Sequence, residues 1–232
     1  MDFSLPTNVK KEEEKDVIGG FAPLPAGIYD AVIQMAYLDE SSGGAKCIVI
    51  KAKIGEKEVS QTTYISNKAG VFTYKDKQSG DLKPLPGYSQ MDTFFVAVTG
   101  KGINEQDIEE KVVNIYDYTH RKDVPQKRQV FMDVVKQPIK VGLQHIHEEK
   151  TTKESGYKNG TGEYRKYNEF AKWFNAASGL TIQEEQAGIT EPTFIKAWEE
   201  NFANKVITKN AKNSGTSATP AAAGAATTSI FS

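Results

Sequence analysis

The stretch that decides the fold is residues 27–66, which read GIYDAVIQMAYLDESSGGAKCIVIKAKIGEKEVSQTTYIS. It is rich in β-branched and aromatic residues, which favour strands. Turn-forming residues divide it twice, at residues 39–44 (DESSGG) and at Gly55 followed by Glu56. The three runs separated by these turns predict an antiparallel meander of three strands joined by short connections.

Further strands are predicted after the meander, at residues 112–118, 129–135 and 139–147. A short helix is predicted at residues 92–98, with residues 89–92 as its cap. This order of elements predicts a mainly β fold with short helices (α+β), in the form of an OB-fold-like five-stranded barrel with a helical C-terminal region. A sandwich or a ligand-binding barrel would use similar strands, so periodicity alone leaves these alternatives open.

Three regions are expected along the chain. Residues 1–20 are polar and charged and predict a flexible N-terminal arm, and residues 21–208 are expected to form the OB-like domain, including the C-terminal helices. Within that domain, Thr181 with Glu184 three residues later predicts a capping box, and a helix is expected from Pro192 to about Thr208. Residues 209–232 become rich in Ala, Thr, Ser and Gly and predict a disordered tail.

Composition narrows the class of protein. No run of about 18 apolar residues is present to span a bilayer, and the N-terminus has no apolar segment of a secretory signal. Cys47 is the single cysteine, so neither an intrachain disulfide nor a multi-cysteine zinc site can form. We therefore expect a soluble protein of a reducing cytoplasm, with no membrane partner.

Motifs that carry catalysis are missing from the sequence. It contains no phosphate-binding GxxxxGK[ST] loop, no strand-linked GxGxxG and no GxSxG elbow. His145 and His147 share one face of a predicted strand but have no convincing third metal ligand, and Cys47 is expected to be a buried, inert thiol. We therefore predict that the chain is not an enzyme, and assign it no catalytic residue, cofactor or metal ligand.

Aromatic residues interleaved with basic ones are the feature that points to a partner. Residues 111–172 carry 13 Lys and Arg against 8 Asp and Glu, which favours an anionic ligand. Cations neutralise phosphates and exposed rings stack on bases when proteins bind single strands. The candidate nucleic-acid-binding residues are Lys51, Lys53, Tyr64, Phe72, Tyr74, Lys75, Lys77, Tyr116, Tyr118, Arg121, Lys122, Lys127, Arg128, Tyr164, Arg165 and Lys166. The alternative is that many of these tyrosines are core residues with hydroxyls at the surface.

Two segments carry a resemblance to a known family. Residues 24–33 (LPAGIYDAVI), and residues 181–185 (TIQEE) with Glu191, Pro192 and Trp198, resemble small phage proteins encoded beside replication and recombination genes. These are loosely related to the single-stranded DNA-binding proteins of tailed phages. The resemblance implies an oligonucleotide-binding barrel that coats and protects single-stranded DNA without strong sequence specificity.

The family also implies contacts with replication proteins through a flexible terminus. Many such proteins end in an acidic tail with an aromatic tip, whereas this chain ends in an acid-free segment with Ile230 and Phe231 near its end. The hydrophobic tip or the acidic residues 12–14 are the candidate contact segments. The competing hypothesis is a non-enzymatic phage structural or assembly protein with a β-barrel domain.

Overall fold

The computed structural model describes residues 22–117, 120–152, 156 and 159–211. The predicted N-terminal arm lies outside these residues, and so does the predicted tail except for residues 209–211. The described strands are β1 (Gly27–Glu40), β2 (Lys46–Ile54), β3 (Lys57–Tyr64), β4 (Thr73–Lys75), β5 (Leu82–Pro84), β6 (Ile108–Asp117), β7 (Lys122–Phe131), β8 (Pro138–Thr151), β9 (Gly160–Phe174) and β10 (Val206–Lys209). The described helices are α1 (Pro86–Thr99), α2 (Ile182–Gln186) and α3 (Phe194–Phe202). The fold is therefore mainly β with few short helices, as predicted.

The three-stranded meander predicted from residues 27–66 is confirmed. β1 pairs antiparallel with β2 from Val32 to Glu40. β2 pairs antiparallel with β3 from Cys47 to Ile54. Gly55 adopts a left-handed backbone (φ 57°) in the tight turn between β2 and β3, a conformation that glycine enters without steric cost. Local turn chemistry thus sets this part of the sheet.

The remaining strands extend the sheet from both halves of β1. The first half of β1 pairs with β8, and β8 pairs in turn with β9 and, in parallel, with β10. Further along the same edge, Tyr37 and Leu38 pair with β7, which forms a hairpin with β6. We call the β6–β7 hairpin the ribbon, because most of its length pairs with no other described strand.

A closed five-stranded barrel is not confirmed, because the described sheet is open between β3 and β9. No backbone ladder joins these two strands in the described part of the chain. Instead, the Gln61 side chain of β3 accepts a hydrogen bond from the backbone N–H of Phe170 in β9, with an N–O distance of 2.6 Å. A single side chain therefore bridges the gap that a ladder would close.

Helix α1 fills the interior beneath the sheet with aromatic side chains. Phe94 lies 4.8 Å from Trp173 and Phe95 lies 4.5 Å from Phe131, measured between ring centroids. All four rings are at most 2% exposed, so they form the centre of the core. Burial of such rings is the main stabilising contribution to a fold of this kind.

The predicted start of this helix was wrong. α1 begins at Pro86 rather than at residue 92, because proline suits the first turn, where its missing N–H costs nothing. The predicted cap residue Asp92 lies inside the helix and accepts a hydrogen bond from the backbone N–H of Ile103. The helix ends at Thr99 and is capped by Gly100, which has a left-handed backbone (φ 74°).

The first turn of α1 approaches the end of β3 so closely that only glycine fits. A Cβ atom on Gly87 would lie 2.0 Å from the backbone oxygen of Tyr64. We expect Gly87→Ala to lower the free energy of unfolding by about 2 kcal/mol, since overpacking outweighs the higher helix propensity of alanine. Urea unfolding would measure this loss. The exposed Ser89→Ala in the same helix is the control, and a stabilised Gly87→Ala variant would contradict the close approach.

The C-terminal region agrees with the sequence at one end and differs at the other. The capping box is confirmed, because the Thr181 hydroxyl accepts from the N–H of Glu184 and the Glu184 carboxylate accepts from the N–H of Thr181. The helix predicted to reach Thr208 was wrong, since α3 ends at Phe202 and Asn204 has a left-handed backbone (φ 57°). The β-branched residues that follow instead form β10 against β8.

Trp198 of α3 fixes this region to the sheet. It is 4% exposed and packs over Gly142 of β8, where a Cβ atom would lie 2.8 Å from the indole ring. α3 therefore covers one face of β8, and β10 pairs with the edge of that same strand. No helix in the described part of the chain has both the length and the apolar character needed to cross a membrane.

Candidate nucleic-acid interface

The alternation of side chains along β2 separates the core from an outer face. Ile48, Ile50 and Ala52 point into the core and are at most 1% exposed. Cys47, Val49, Lys51 and Lys53 therefore point to the opposite, outer face of the sheet. Their partners across the β2–β3 ladder are Tyr64, Thr62, Ser60 and Glu58, in that order.

The ribbon covers only part of this outer face. Val113 of β6 is 2% exposed and packs with Tyr37 and Val49, which are also buried. The ribbon thus lies over the outer face where β1 meets β2 and leaves β3 uncovered. We call the uncovered area the outer strip, and it consists of Lys51, Lys53, Glu58, Ser60, Thr62 and Tyr64.

The outer strip has the chemistry of a surface that binds single strands. Tyr64 is 55% exposed at one end of it, so its ring is accessible to a stacking base. The hydroxyl groups of Ser60 and Thr62 are exposed and can donate to phosphate oxygens. Lys51 supplies a cation and forms no ion pair with the described residues. A ring, two hydroxyls and a free ammonium therefore lie on one continuous face.

Other predicted cations near this face are already paired. Arg128 lies 3.1 Å from the carboxylate of Asp39, and Lys53 lies 3.3 Å from that of Glu56. The Lys127 ammonium lies 2.7 Å from Glu110, and the hydrogen bond between them raises the pKa of Lys127. Exposed ion pairs such as those of Lys53 and Lys127 contribute little to stability, so a phosphate can replace the carboxylate at small cost.

A second set of predicted residues lies on the β4–β5 hairpin, beyond the end of β3. Phe72, Tyr74, Lys75 and Lys77 are all exposed there, with Phe72 at 37% and Tyr74 at 40%. Phe72 packs edge-on against Tyr88, with ring centroids 5.8 Å apart. This set follows the outer strip in the chain but belongs to a separate two-stranded sheet.

The predicted binding residues Tyr116 and Tyr118 are only partly described, and the described one lies near the tip of the ribbon. Tyr116 is 49% exposed, but it alternates with Val113 and Ile115 and so faces away from the outer strip. Tyr118 lies outside the described residues. Arg121 and Lys122 are exposed where β7 begins, and Arg121 has a left-handed backbone (φ 51°). Arg121 and Lys122 are thus exposed cations at the tip, and Tyr116 faces a different surface from the outer strip.

The predicted binding residues Tyr164, Arg165 and Lys166 form a cluster in the sequence that is divided between the two faces of β9. Tyr164 and Lys166 lie on one face, and Arg165 lies on the other, where its Nε donates to Glu148 over 2.7 Å. The Tyr164 hydroxyl donates to Asn210 over 3.1 Å, so this tyrosine is engaged within the chain. Tyr164, Arg165 and Lys166 lie on the part of β9 that pairs with β8 at Glu149, Glu148 and His147, and β9 has no ladder with β2 or β3, so these residues are not part of the outer strip.

Two strand histidines and the cysteine have surroundings that alter their chemistry. His145 and His147 lie side by side with ring centroids 4.9 Å apart, and burial, followed by the charges of His147 and Lys166, lowers the pKa of His145. Cys47 is 4% exposed, and burial with the nearby Asp39 raises the pKa of its thiol to about 11. The described residues contain no group of three or more His, Cys, Asp or Glu side chains that could hold a metal ion.

Sequence reasoning missed two parts of this region. Ser60 and Thr62 were not selected because hydroxyl residues alone indicate no ligand, although the alternation of β3 places them beside Tyr64. Lys46 was missed because it stands alone at the start of β2, and the ring it contacts, Phe72, is distant in the sequence. Comparisons with known proteins found no family model and no curated protein that matches this chain. The functional argument therefore depends on the outer strip and its surroundings.

Proposed function

We propose that the chain binds and protects single-stranded DNA without strong sequence specificity, with no catalysis, during phage DNA replication and recombination. The observation that carries this proposal is the outer strip, where the exposed ring of Tyr64 shares a face with Lys51, Ser60 and Thr62. Stacking on a ring is open to any base, and cations and hydroxyls contact the backbone that all sequences share.

The strand order also supports an oligonucleotide-binding fold. β3, β2, β1, β8 and β9 follow one another across the sheet, and α1 comes between the meander and the β8–β9 hairpin in the chain. A partly open barrel with this kind of meander binds oligonucleotides on the face of its second and third strands. The outer strip occupies that same face, so we assign the domain to an OB-type, partly open barrel.

The phage context comes from the resemblance of residues 24–33 and 181–185 to replication-associated phage proteins. These segments include the start of β1 and the capping box of α2, both of which support the fold rather than the binding face. We propose that replication proteins are contacted through a terminus, and that the chain acts in the cytoplasm of the host cell. Deleting the residues after 211 and measuring partner binding would test the first of these proposals.

The function is tested by titrating a fluorescent oligo-dT of about 30 nucleotides, a length that covers at least one site of a single-strand binder. The titration is run at low and at physiological salt, with a matching duplex as the control. We expect tight, salt-sensitive binding to the single strand and weak binding to the duplex. Equal affinity for both nucleic acids, or no binding at low salt, would contradict the proposal.

A structural or assembly role is the second candidate, and the outer edge of the ribbon favours it. β6 pairs only with β7 among the described strands, and Val112 on it is 67% exposed. An unpaired edge strand with exposed apolar side chains can join another chain. Stable large assemblies in light scattering, together with no affinity for oligo-dT, would favour this role.

A further inference from the structure

A concavity lies at the end of the sheet, next to the outer strip. Its volume is about 450 Å³, and its lining includes Lys46, Lys127 and Arg128 together with Asp39 and Glu40. The volume falls within the roughly 300–1,000 Å³ that is usual for small-molecule sites. We call it the end pocket.

The end pocket is continuous with the outer strip through one row of residues. Asp39 pairs across the sheet with Cys47, and Cys47 pairs with Tyr64, while Arg128 forms its ion pair with Asp39. Lys46 precedes Cys47 and therefore points to the other side of the sheet. A single strand of DNA that lies on Tyr64 would therefore reach the end pocket by passing over the end of β2.

Lys46 is the cation in the pocket that is free to receive a phosphate. Arg128 and Lys127 are each paired with a carboxylate, whereas the Lys46 ammonium forms no ion pair with the described residues. It lies 5.9 Å from the centroid of the Phe72 ring, which is 37% exposed. An exposed ring beside an unpaired ammonium offers a base and a phosphate their two separate contacts.

We propose that the end pocket and the neighbouring Phe72 ring together form a subsite for one nucleotide of the bound single strand, with Lys46 on its phosphate and Phe72, beside the pocket, against its base. This inference rests on the proposed function, because the outer strip delivers the strand to the pocket. Glu40 is the cross-strand partner of Lys46. Its negative charge repels the phosphate and limits the affinity of the subsite. The pocket thereby extends the binding site onto residues that the outer strip does not include.

The test is the affinity of full-length variants for oligo-dT, measured across a range of salt concentrations. Lys46→Gln is expected to weaken binding and to reduce the slope of log K against log salt by about 0.7, the value for one phosphate contact of a single strand. Phe72→Leu, which preserves an apolar side chain against Tyr88, is expected to weaken binding about tenfold. Lys46→Arg should restore the wild-type slope.

Glu40→Gln gives the opposite sign and separates charge effects from misfolding. It is expected to tighten binding, because it removes a carboxylate that repels the phosphate. A folding defect would weaken binding and therefore cannot explain a gain in affinity. Lys57→Gln, at the far end of the β2–β3 hairpin, is the matched control and should bind like the wild type. Unchanged affinity and slope in Lys46→Gln, with tight binding by the wild type, would overturn the subsite and leave the proposed function intact. Absence of binding by the wild-type protein would contradict both the subsite and the proposed function.

Discussion

Replacing Glu184 by glutamine is expected to lower the free energy of unfolding at neutral pH by about 3 kcal/mol. Glu184 is 6% exposed, and its carboxylate accepts five hydrogen bonds. Three come from backbone N–H groups, those of Thr181, Thr193 and Phe194, and two come from the hydroxyls of Thr181 and Thr193. An amide in this position would turn an NH₂ group toward donors, so some of these bonds would be lost.

The same contacts make this contribution depend on pH. Burial alone would raise the pKa of Glu184, but the donors around it outweigh burial and lower the pKa from 4.5 to about 2. The stabilisation is therefore complete above pH 4.5 and is lost as the pH falls from 4.5 toward 2. The wild type should lose stability across this window, and Glu184→Gln should lack that part of the loss.

Urea unfolding at several pH values measures both effects. Glu185→Gln is the matched control, because Glu185 is the exposed neighbour in the same helix and has no side-chain hydrogen bond to a described residue. The curves of wild type and Glu184→Gln should approach each other at low pH. Parallel curves, or an equal loss in the control, would contradict the role given to Glu184 in joining α2 to the start of α3.

Replacing Tyr64 by alanine is expected to weaken binding of oligo-dT by roughly ten- to a hundredfold, the range that loss of one stacked ring produces. Tyr64 is more exposed than any other described tyrosine, at 55%, and its side chain has no hydrogen bond to a described residue. Loss of the ring should change affinity without changing the salt slope, because no cation is removed.

Tyr164→Ala is the control for this measurement. Tyr164 has similar exposure, 40%, but it lies on β9 and its hydroxyl is bonded to Asn210. We expect its removal to leave the affinity close to that of the wild type. A larger loss in Tyr164→Ala than in Tyr64→Ala would move the binding surface from the outer strip to β9.

The elements that the sequence predicted correctly are those set by local chemistry. The meander follows from the turn residues 39–44 and Gly55, and the α2 cap follows from Thr181 and Glu184 at a spacing of three. The end of α3 was mispredicted because apolar spacing continues past Phe202, while β10 forms against β8, about 60 residues earlier in the chain. Pairing between distant strands overrode the local pattern.

The candidate site was predictable to the extent that alternation along a strand decides it. Lys51 and Lys53 are two residues apart, so alternation alone places these two candidates on one face of β2, where they lie. Tyr164, Arg165 and Lys166 were grouped by sequence proximity, although neighbouring residues of a strand must face opposite sides. The burial of Tyr37 and Val49 beneath the ribbon, and with it the limits of the outer strip, depends on tertiary packing that no local pattern records.

The central claim is that single-stranded DNA lies on the outer strip. Ultraviolet crosslinking of the full-length protein to oligo-dT, followed by mass spectrometry of the peptides, tests this claim most directly. We predict adducts on the peptide that contains Tyr64, and their loss when unlabelled single strand is added in excess. Adducts confined to β9, with none between residues 57 and 64, would contradict it.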